Sequence, residues 1–353
     1  MSPSLKQKMG ALCIDVPFYV YLLFCRKIQH GHAWMLIRNR HEHLALSQKP
    51  FGIHCQWQWT SDLYLPKIFP LFGRILFAKT LTSFNFDFNN HKRVAEPATQ
   101  SDVSFIIGHR GITRASLLLK TIDSIAAQQG CNIECIVVEQ DDQETVKDLL
   151  PAWVNYVFSP PEEKNMAYSR AQAFNVGAQH ASSNCLIFHD NDLLIPNNYA
   201  YETLQLVLRG FDFVNLKRFI FYLSEESTHS LLKNKRIESD LTLESIMQNA
   251  EGGGSIGASR KGYSEIGGFD ERFIGWGGED NEFWERAQTT NIWPFGSLPL
   301  IHLWHGAQTG KLDIENSETT LLYKKLSQNA AHERIQWLKQ HQVIKPIDNK
   351  GNH

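Results

Sequence analysis

The sequence predicts an α/β fold with a mostly parallel central sheet and helices on both faces. Three observations carry that prediction. From Val103 onward, short apolar runs alternate with stretches of helical periodicity. That rhythm implies strand–helix–strand units. The 353 residues are 42% hydrophobic and only 20% charged, enough apolar material for a sizeable core. One apolar run also ends directly in an acidic turn, and open parallel sheets bind ligands beyond the carboxyl ends of their strands.

Taken in order, Val103–Ile107 reads as a buried strand. Ala115–Gln129 reads as a helix, with Leu118, Ile122 and Ile125 at helical spacing. Ile133–Val138 is a second strand and Val154–Phe158 a short third one. Ala167–Ala181 is a helix, with Ala171, Phe174 and Ala178 along one face. Cys185–His189 is a further strand. A helix is expected over Glu279–Thr289, a strand over 298–304, and helices over Glu315–Gln328 and Ala331–Gln342.

Residues 1–93 show no clean periodicity. The polar, proline-containing segment Val94–Asp102 reads as a boundary. The expected organisation is therefore an N-terminal region over 1–101 and one domain over 102–353. Within that domain a donor half covers about 102–195, an acceptor half about 250–310, and C-terminal helices 311–353. Charge divides at the same place. The net charge of −2 hides 12 Lys and Arg against 5 Asp and Glu in residues 1–100, and 23 against 32 in the remainder. The total excludes a strongly basic nucleic-acid binder. The basic, aromatic-rich first hundred residues suit either peripheral association with an anionic membrane or a packed accessory region with a solvated basic face.

Six scattered cysteines without a CxxC pair read as reduced thiols of a cytosolic protein. Neither a secretory signal pattern nor a run of 18 apolar residues is found, so no transmembrane helix is expected. His30, His32, His41, His43 and His54 form HxH-like pairs without Cys or acidic partners, and read as solvated or packed histidines rather than a zinc site.

Five motifs carry chemistry. Asp190-Asn191-Asp192 follows a strand and offers hard oxygen ligands for Mn²⁺ or Mg²⁺, although the same residues make a good turn. Gly275-Trp276-Gly277-Gly278-Glu279-Asp280 joins permissive glycines, a flat indole and two carboxylates at a helix start. Such an indole suits a sugar ring, and the carboxylates its hydroxyls. His302-Leu303-Trp304-His305 places two histidines on opposite faces of a strand, so both reach one ion only if the segment bends. Gly252-Gly253-Gly254-Ser255 lacks P-loop spacing and reads as a flexible loop or a surface crossed by a ligand. Arg170 lies in the first turn of its helix, where the dipole disfavours a cation; this suggests a partner, a phosphate being one candidate, while a lone arginine there also reads as solvated, and Arg110 sits at the same sheet edge.

In this order the motifs resemble the GT-A nucleotide-diphospho-sugar glycosyltransferases. They are most similar to the β-1,4-galactosyltransferase group and bacterial chondroitin-type polymerases. Two stretches carry the resemblance: Tyr168-Ser169-Arg170-Ala171 through Asn175-Val176-Gly177 to Asp192, and Gly267-Gly268-Phe269-Asp270 through Asp280 to His305. It covers roughly residues 102–310. It implies Mn²⁺ (or Mg²⁺) held by Asp190, Asp192 and His305, with His302 at a further ligand position. It implies Asp280 as base, and Trp276, Gly277, Gly278 and Glu279 at the acceptor. It places Arg110, Glu139, Arg170 and Asp190 at the donor, with Glu139 facing the uracil. Gly108-His109-Arg110-Gly111 and the strand end at Val137–Asp142 depart from the usual motifs.

The expected function is metal-dependent, inverting transfer of a hexose or N-acetylhexosamine, galactose-type favoured, from a UDP-sugar to a saccharide or glycoconjugate hydroxyl. The alternatives are a non-catalytic carbohydrate-binding or scaffold protein and, less well matched at the first strand, a nucleotidyltransferase. The expected location is cytoplasmic, peripheral to the inner face of the membrane if residues 1–100 bind it.

Overall fold

The computed structural model describes residues 101–306 and 317–342, apart from 235–236, 249, 251 and 294–295. Of the first hundred residues it describes 5–10, 12–13, 16–17, 42–46, 53–57, 61–62, 68–86 and 88. The side chains of His43 and His54, the other N-terminal histidines and most of the expected boundary segment lie outside the described residues.

The elements in chain order are β1 (Glu42–Leu46), β2 (Ile53–Trp57), β3 (Ser61–Asp62) and α1 (Pro70–Ser83). They continue as β4 (Val103–His109), α2 (Ala115–Ala126), β5 (Ile133–Glu139), β6 (Asn155–Phe158), α3 (Arg170–His180), β7 (Cys185–His189) and β8 (Leu193–Leu194). Next come α4 (Tyr199–Leu208), β9 (Phe213–Val214), β10 (Lys217–Leu223), α5 (Glu225–Asn234), β11 (Leu243–Gln248), β12 (Ser255–Ser259) and α6 (Arg260–Glu265). The last are α7 (Glu279–Ala287), β13 (Ile292–Trp293), β14 (Leu298–His302), α8 (Glu318–Leu326) and α9 (Ala331–His341).

Seven strands form the main sheet in the order β13-β9-β12-β7-β4-β5-β6. All neighbours run parallel except β12, which is antiparallel to both β7 and β9. The central strands are apolar on both faces, and successive side chains alternate between two cores. Phe105 and Ile107 of β4, Val137 of β5 and Ile187 of β7 enter one core. Ile106, Ile136, Val138, Leu186 and Phe188 enter the other.

The second core is closed by α3, α6 and α7. Phe269 and Phe283 stack there with ring centroids 3.8 Å apart. Gly177 lets α3 lie directly on β4, since a Cβ at that position would collide with Ile106. The first core is closed by α2, α4 and a second sheet of five strands, β3-β11-β10-β14-β8.

Part of the first hundred residues belongs to this first core. Helix α1 opens on Pro70, which suits a first-turn position because its missing N–H would have no partner there. It buries Leu76 and Phe77, and Phe77 meets Phe221 of β10 at 5.2 Å between centroids. Strand β3 pairs with β11. Strand β3 and helix α1 thus pack with the body although they precede the boundary read from the sequence.

Helix α7, which opens on Glu279 and Asp280, is clasped from behind. The fully buried Arg286 pairs with Glu282 at 2.6 Å and donates to the carbonyls of Ile266 and Gly268. Arg334 of α9 reaches Glu285 at 2.7 Å. These pairs fix the direction of α7 more than they add stability, because desolvating buried ions offsets most of their attraction.

Candidate active site

Strand β7 leaves the main sheet at His189, and three residues later β8 begins in the second sheet. Asp190-Asn191-Asp192 is the crossing. Two buried, neutral histidines shape it. His189 reaches the carbonyl of Leu193 at 3.1 Å and the Ser255 hydroxyl at 2.8 Å, and burial pushes its pKa down to about 4. His109, also lowered by burial, meets Gly111 O through Nε2 at 2.9 Å and the Asn191 amide through Nδ1 at 2.8 Å.

The two aspartates diverge. Asp192 turns to the second sheet, where its oxygens lie 3.7 Å from His302 Nε2 and 3.3 Å from His305 Nε2. These three residues offer ligand atoms all within 4.8 Å of one another. Strand β14 ends at His302, and Leu303 N donates to Asp192 O at 2.8 Å. That bend brings both histidines to one point, which an unbroken strand would prevent. Asp192 Oδ1 is buried without a hydrogen-bond partner. An orphaned carboxylate oxygen beside two imidazoles fits a divalent cation such as Mn²⁺ in its donor chemistry.

Asp190 does not join that cluster. Its Oδ1 accepts from Arg170 Nε at 2.8 Å and pairs with Nη2 at 2.6 Å. Of the two aspartates expected to hold the ion, Asp192 lies in the cluster and Asp190 against the Arg170 guanidinium. Arg170 is the first residue of α3, after Ser169, whose hydroxyl caps Gln172 N. Its Nη1 pairs with Asp280 and lies 3.7 Å from Glu279. The anionic partner expected from its helix position is therefore a set of three carboxylates.

The Gly-Trp loop and the triple-glycine loop meet at Asp280. Gly275, Gly277 and Gly278 hold φ values of 102°, 105° and 88°, in the left-handed region where glycine avoids strain. Gly277 N donates to Glu279 Oε2 at 3.1 Å, and Thr319 of α8 donates from Oγ1 to the Trp276 carbonyl at 2.6 Å. Gly253 lies so close that a Cβ there would stand 2.9 Å from Asp280 Oδ2. Below this loop the fully buried Lys217 donates to Ser255 O at 2.6 Å, and burial pushes its pKa down to about 7 against the pull of Asp280 and Asp190. Burial raises Glu279 to about 7, with the Asp280 carboxylate adding to the shift and Arg170 opposing it.

These groups line a cleft of about 560 Å³ that holds Asp190, Asp192, Arg170, Trp276, Glu279, Asp280, His302 and His305. It shares Arg110, Arg114, Tyr168, Trp276 and His305 with an adjoining chamber of about 620 Å³. Arg110 donates to Met166 O at 2.5 Å and faces Asp141 at 3.6 Å.

Glu139 is placed elsewhere. It ends β5 as expected but does not line either chamber. Its carboxylate accepts from Thr145 N at 3.0 Å, Val146 N at 3.3 Å and Tyr156 Oη at 2.7 Å. Burial pushes its pKa up, and these donors more than reverse that. Expected to face a nucleobase, it here accepts from the loop that follows β5 and from Tyr156.

Two contributors lay outside the sequence motifs: Arg114 and Thr319. Arg114 directly precedes α2, where the dipole disfavours a cation, and that signal would have found it. Nothing local marks Thr319.

The mostly parallel sheet, the acidic crossing at its strand ends and the glycine–tryptophan–carboxylate helix start define a GT-A glycosyltransferase fold. A model described as glycosyltransferase like family 2 matches residues 104–295, and the chain belongs to that family. Among curated relatives, beta-1,4-galactosyltransferase 5 of Danio rerio is 30% identical over 128 residues, 35% of this chain and 27% of that protein. Beta-1,4-galactosyltransferase 6 of Rattus norvegicus is 28% identical over 124 residues, 34% and 26% of the two chains. The match thus spans about a quarter of those relatives. A solved structure of GalNAc-T7 with UDP, GalNAc and Mn²⁺ is similar with a TM-score of 0.46 and 15% identity, over 70% of this chain and 53% of that one.

Proposed function

We propose that this chain is a metal-dependent, inverting glycosyltransferase. It moves a hexose or N-acetylhexosamine, galactose-type favoured, from a UDP-sugar to a saccharide hydroxyl. The observation that carries the reading is one cleft lined by the Asp192–His302–His305 cluster and by Trp276, Glu279 and Asp280. The galactosyltransferase relatives support the sugar class.

Asp192, His302 and His305 would hold Mn²⁺ or Mg²⁺, which as a Lewis acid neutralises charge on a departing diphosphate. Trp276 offers an apolar face to the acceptor ring. Asp280 takes the proton of the attacking hydroxyl as general base. Arg170 holds Asp280 through Oδ1, leaving Oδ2 toward Gly253. Only glycine at 253 leaves that oxygen uncovered. Glu279, close to half-protonated at neutral pH, orients a second acceptor hydroxyl. Association of the basic first hundred residues with an anionic membrane, on its cytoplasmic side, belongs to the same reading and rests on composition.

The test is UDP release over UDP-Gal, UDP-Glc, UDP-GalNAc and UDP-GlcNAc with Mn²⁺ and with EDTA, for the intact chain and for Asp280→Asn. Metal-dependent release with at least one donor is expected. Asp280→Asn should bind UDP and lose transfer by at least a hundredfold. Transfer at the parental rate in that variant removes the base assignment. Absence of both release and UDP binding favours a carbohydrate-binding scaffold.

A further inference from the structure

We infer that Arg114 is a diphosphate-binding residue, working beside the cation cluster and countering the charge that develops on the leaving group. The inference rests on the nucleotide-sugar reading above. Three arginines stand at this edge of the sheet, and they differ in their partners.

Arg170 is bound to Asp190 and Asp280. Arg110 is bound to Met166 O and faces Asp141. Arg114 instead leans on the cation cluster itself. Its Nη2 lies 2.6 Å from His305 Nδ1, and its Nη1 lies 3.7 Å from Asp192 Oδ2. It lines both the cleft and the adjoining chamber, so a ligand spanning the two passes over it.

The imidazole of His305 shows how this arginine is made available. Its Nδ1 has two neighbours, Arg114 and the carbonyl of Gly306 at 2.8 Å. One nitrogen cannot accept from the first and donate to the second at once. When Nδ1 carries the proton it donates to Gly306 O, and the Nε2 lone pair faces Asp192. That is the tautomer a cation requires. In it Arg114 has no acceptor on the ring, and its two-pronged donor face turns to the ligand.

Charge balance points the same way. A sugar nucleotide carries two negative charges on its diphosphate. Asp192 with a divalent cation and two neutral histidines leaves a single positive charge, and Arg170 is taken up by Asp190 and Asp280. Arg114 supplies the second. In transfer the anomeric C–O bond breaks, its electron pair leaves on the diphosphate oxygen, and the acceptor oxygen bonds the carbon while its proton goes to Asp280. The product nucleoside diphosphate then holds a third negative charge, and bidentate guanidinium–phosphate contacts are well suited to it.

The experiment is calorimetric titration of the intact chain with Mn²⁺ alone, then with UDP and with uridine in saturating Mn²⁺. The variants are Arg114→Met and Arg114→Lys, and a melting curve verifies the fold of each. Arg114→Met should bind UDP at least tenfold more weakly, bind uridine within twofold of the parent, and bind Mn²⁺ as well or better. Arg114→Lys should recover part of the UDP affinity. Equal UDP affinity in parent and Arg114→Met overturns the assignment alone. So does equal loss for UDP and uridine, or loss of Mn²⁺ binding. A parent chain that binds Mn²⁺ but no UDP overturns the nucleotide-sugar reading, and this inference with it.

Discussion

Thr319→Val probes how the acceptor side is held from the C-terminal helices. Thr319 is 4% exposed, and its hydroxyl donates to the Trp276 carbonyl at 2.6 Å. The loop it grips has glycines at 275, 277 and 278, which lack side chains to narrow their backbone choices. Its conformation therefore depends on anchors from outside. Removing a buried neutral hydrogen bond costs about 1–2 kcal/mol. If that cost falls on the acceptor-bound conformation, the acceptor KM rises about 5- to 30-fold. UDP affinity stays within about twofold of the parent, because the cation cluster is built on other elements. The assay is UDP release at saturating donor with the acceptor varied, alongside Thr319→Ser, which keeps the donor. An unchanged acceptor KM in a folded Thr319→Val protein would refute the reasoning, as would an equal rise in Thr319→Ser.

Other perturbations separate stability from chemistry. Gly177→Ala forces a methyl into Ile106 and should destabilise the fold by about 1–3 kcal/mol in urea unfolding; a loss under 0.5 kcal/mol would mean that α3 lifts freely. Glu279→Gln should be more stable than the parent at pH 8 and equal to it near pH 4.5. A carboxyl raised to about 7 in the fold gives up stability as pH climbs from its unfolded value through 7. Melting temperatures across that range check this, and a gap independent of pH contradicts it. Peripheral membrane association predicts that the intact chain sediments with anionic vesicles and not with neutral ones. Replacing Lys6, Lys8, Arg26 and Lys27 by glutamine should weaken it; no sedimentation of the intact chain removes the idea.

The parts legible in the sequence are those governed by local pattern. The boundaries of Cys185–His189 were met, because four apolar residues and a histidine run straight into a polar turn. The early strands ran one or two residues further than expected, into His109 and Glu139, since burial extends past the apolar run. Of the second sheet only β14 was legible, expected over 298–304 and found over Leu298–His302. Leu243–Gln248 alternates weakly, Leu193–Leu194 is two residues long, and both are strands only because of distant partners. The site divides in the same manner. Residue types and strand-end placement announced Asp192, His305 and Asp280. Which carboxylate faces which cation is decided by tertiary charge, so the placement of Asp190 against Arg170 and of Glu139 against Thr145 and Tyr156 could not be read from the sequence. The helix-start rule did find a partnered Arg170, though the partners are protein carboxylates.

The crossing from β7 to β8 has a consequence for how such a protein can diversify. Asp190 answers to Arg170 and through it to Asp280, whereas Asp192 answers to the histidines at the end of β14. Two residues apart in the chain, they serve separate sheets and separate tasks. Under the proposed function, substitutions around Gly275–Asp280 would remodel the choice of acceptor while the Asp192–histidine cluster stays as it is, and changes near His305 would retune the ion. A motif that reads as one chelate is in fact a junction at which two independently adjustable halves are joined.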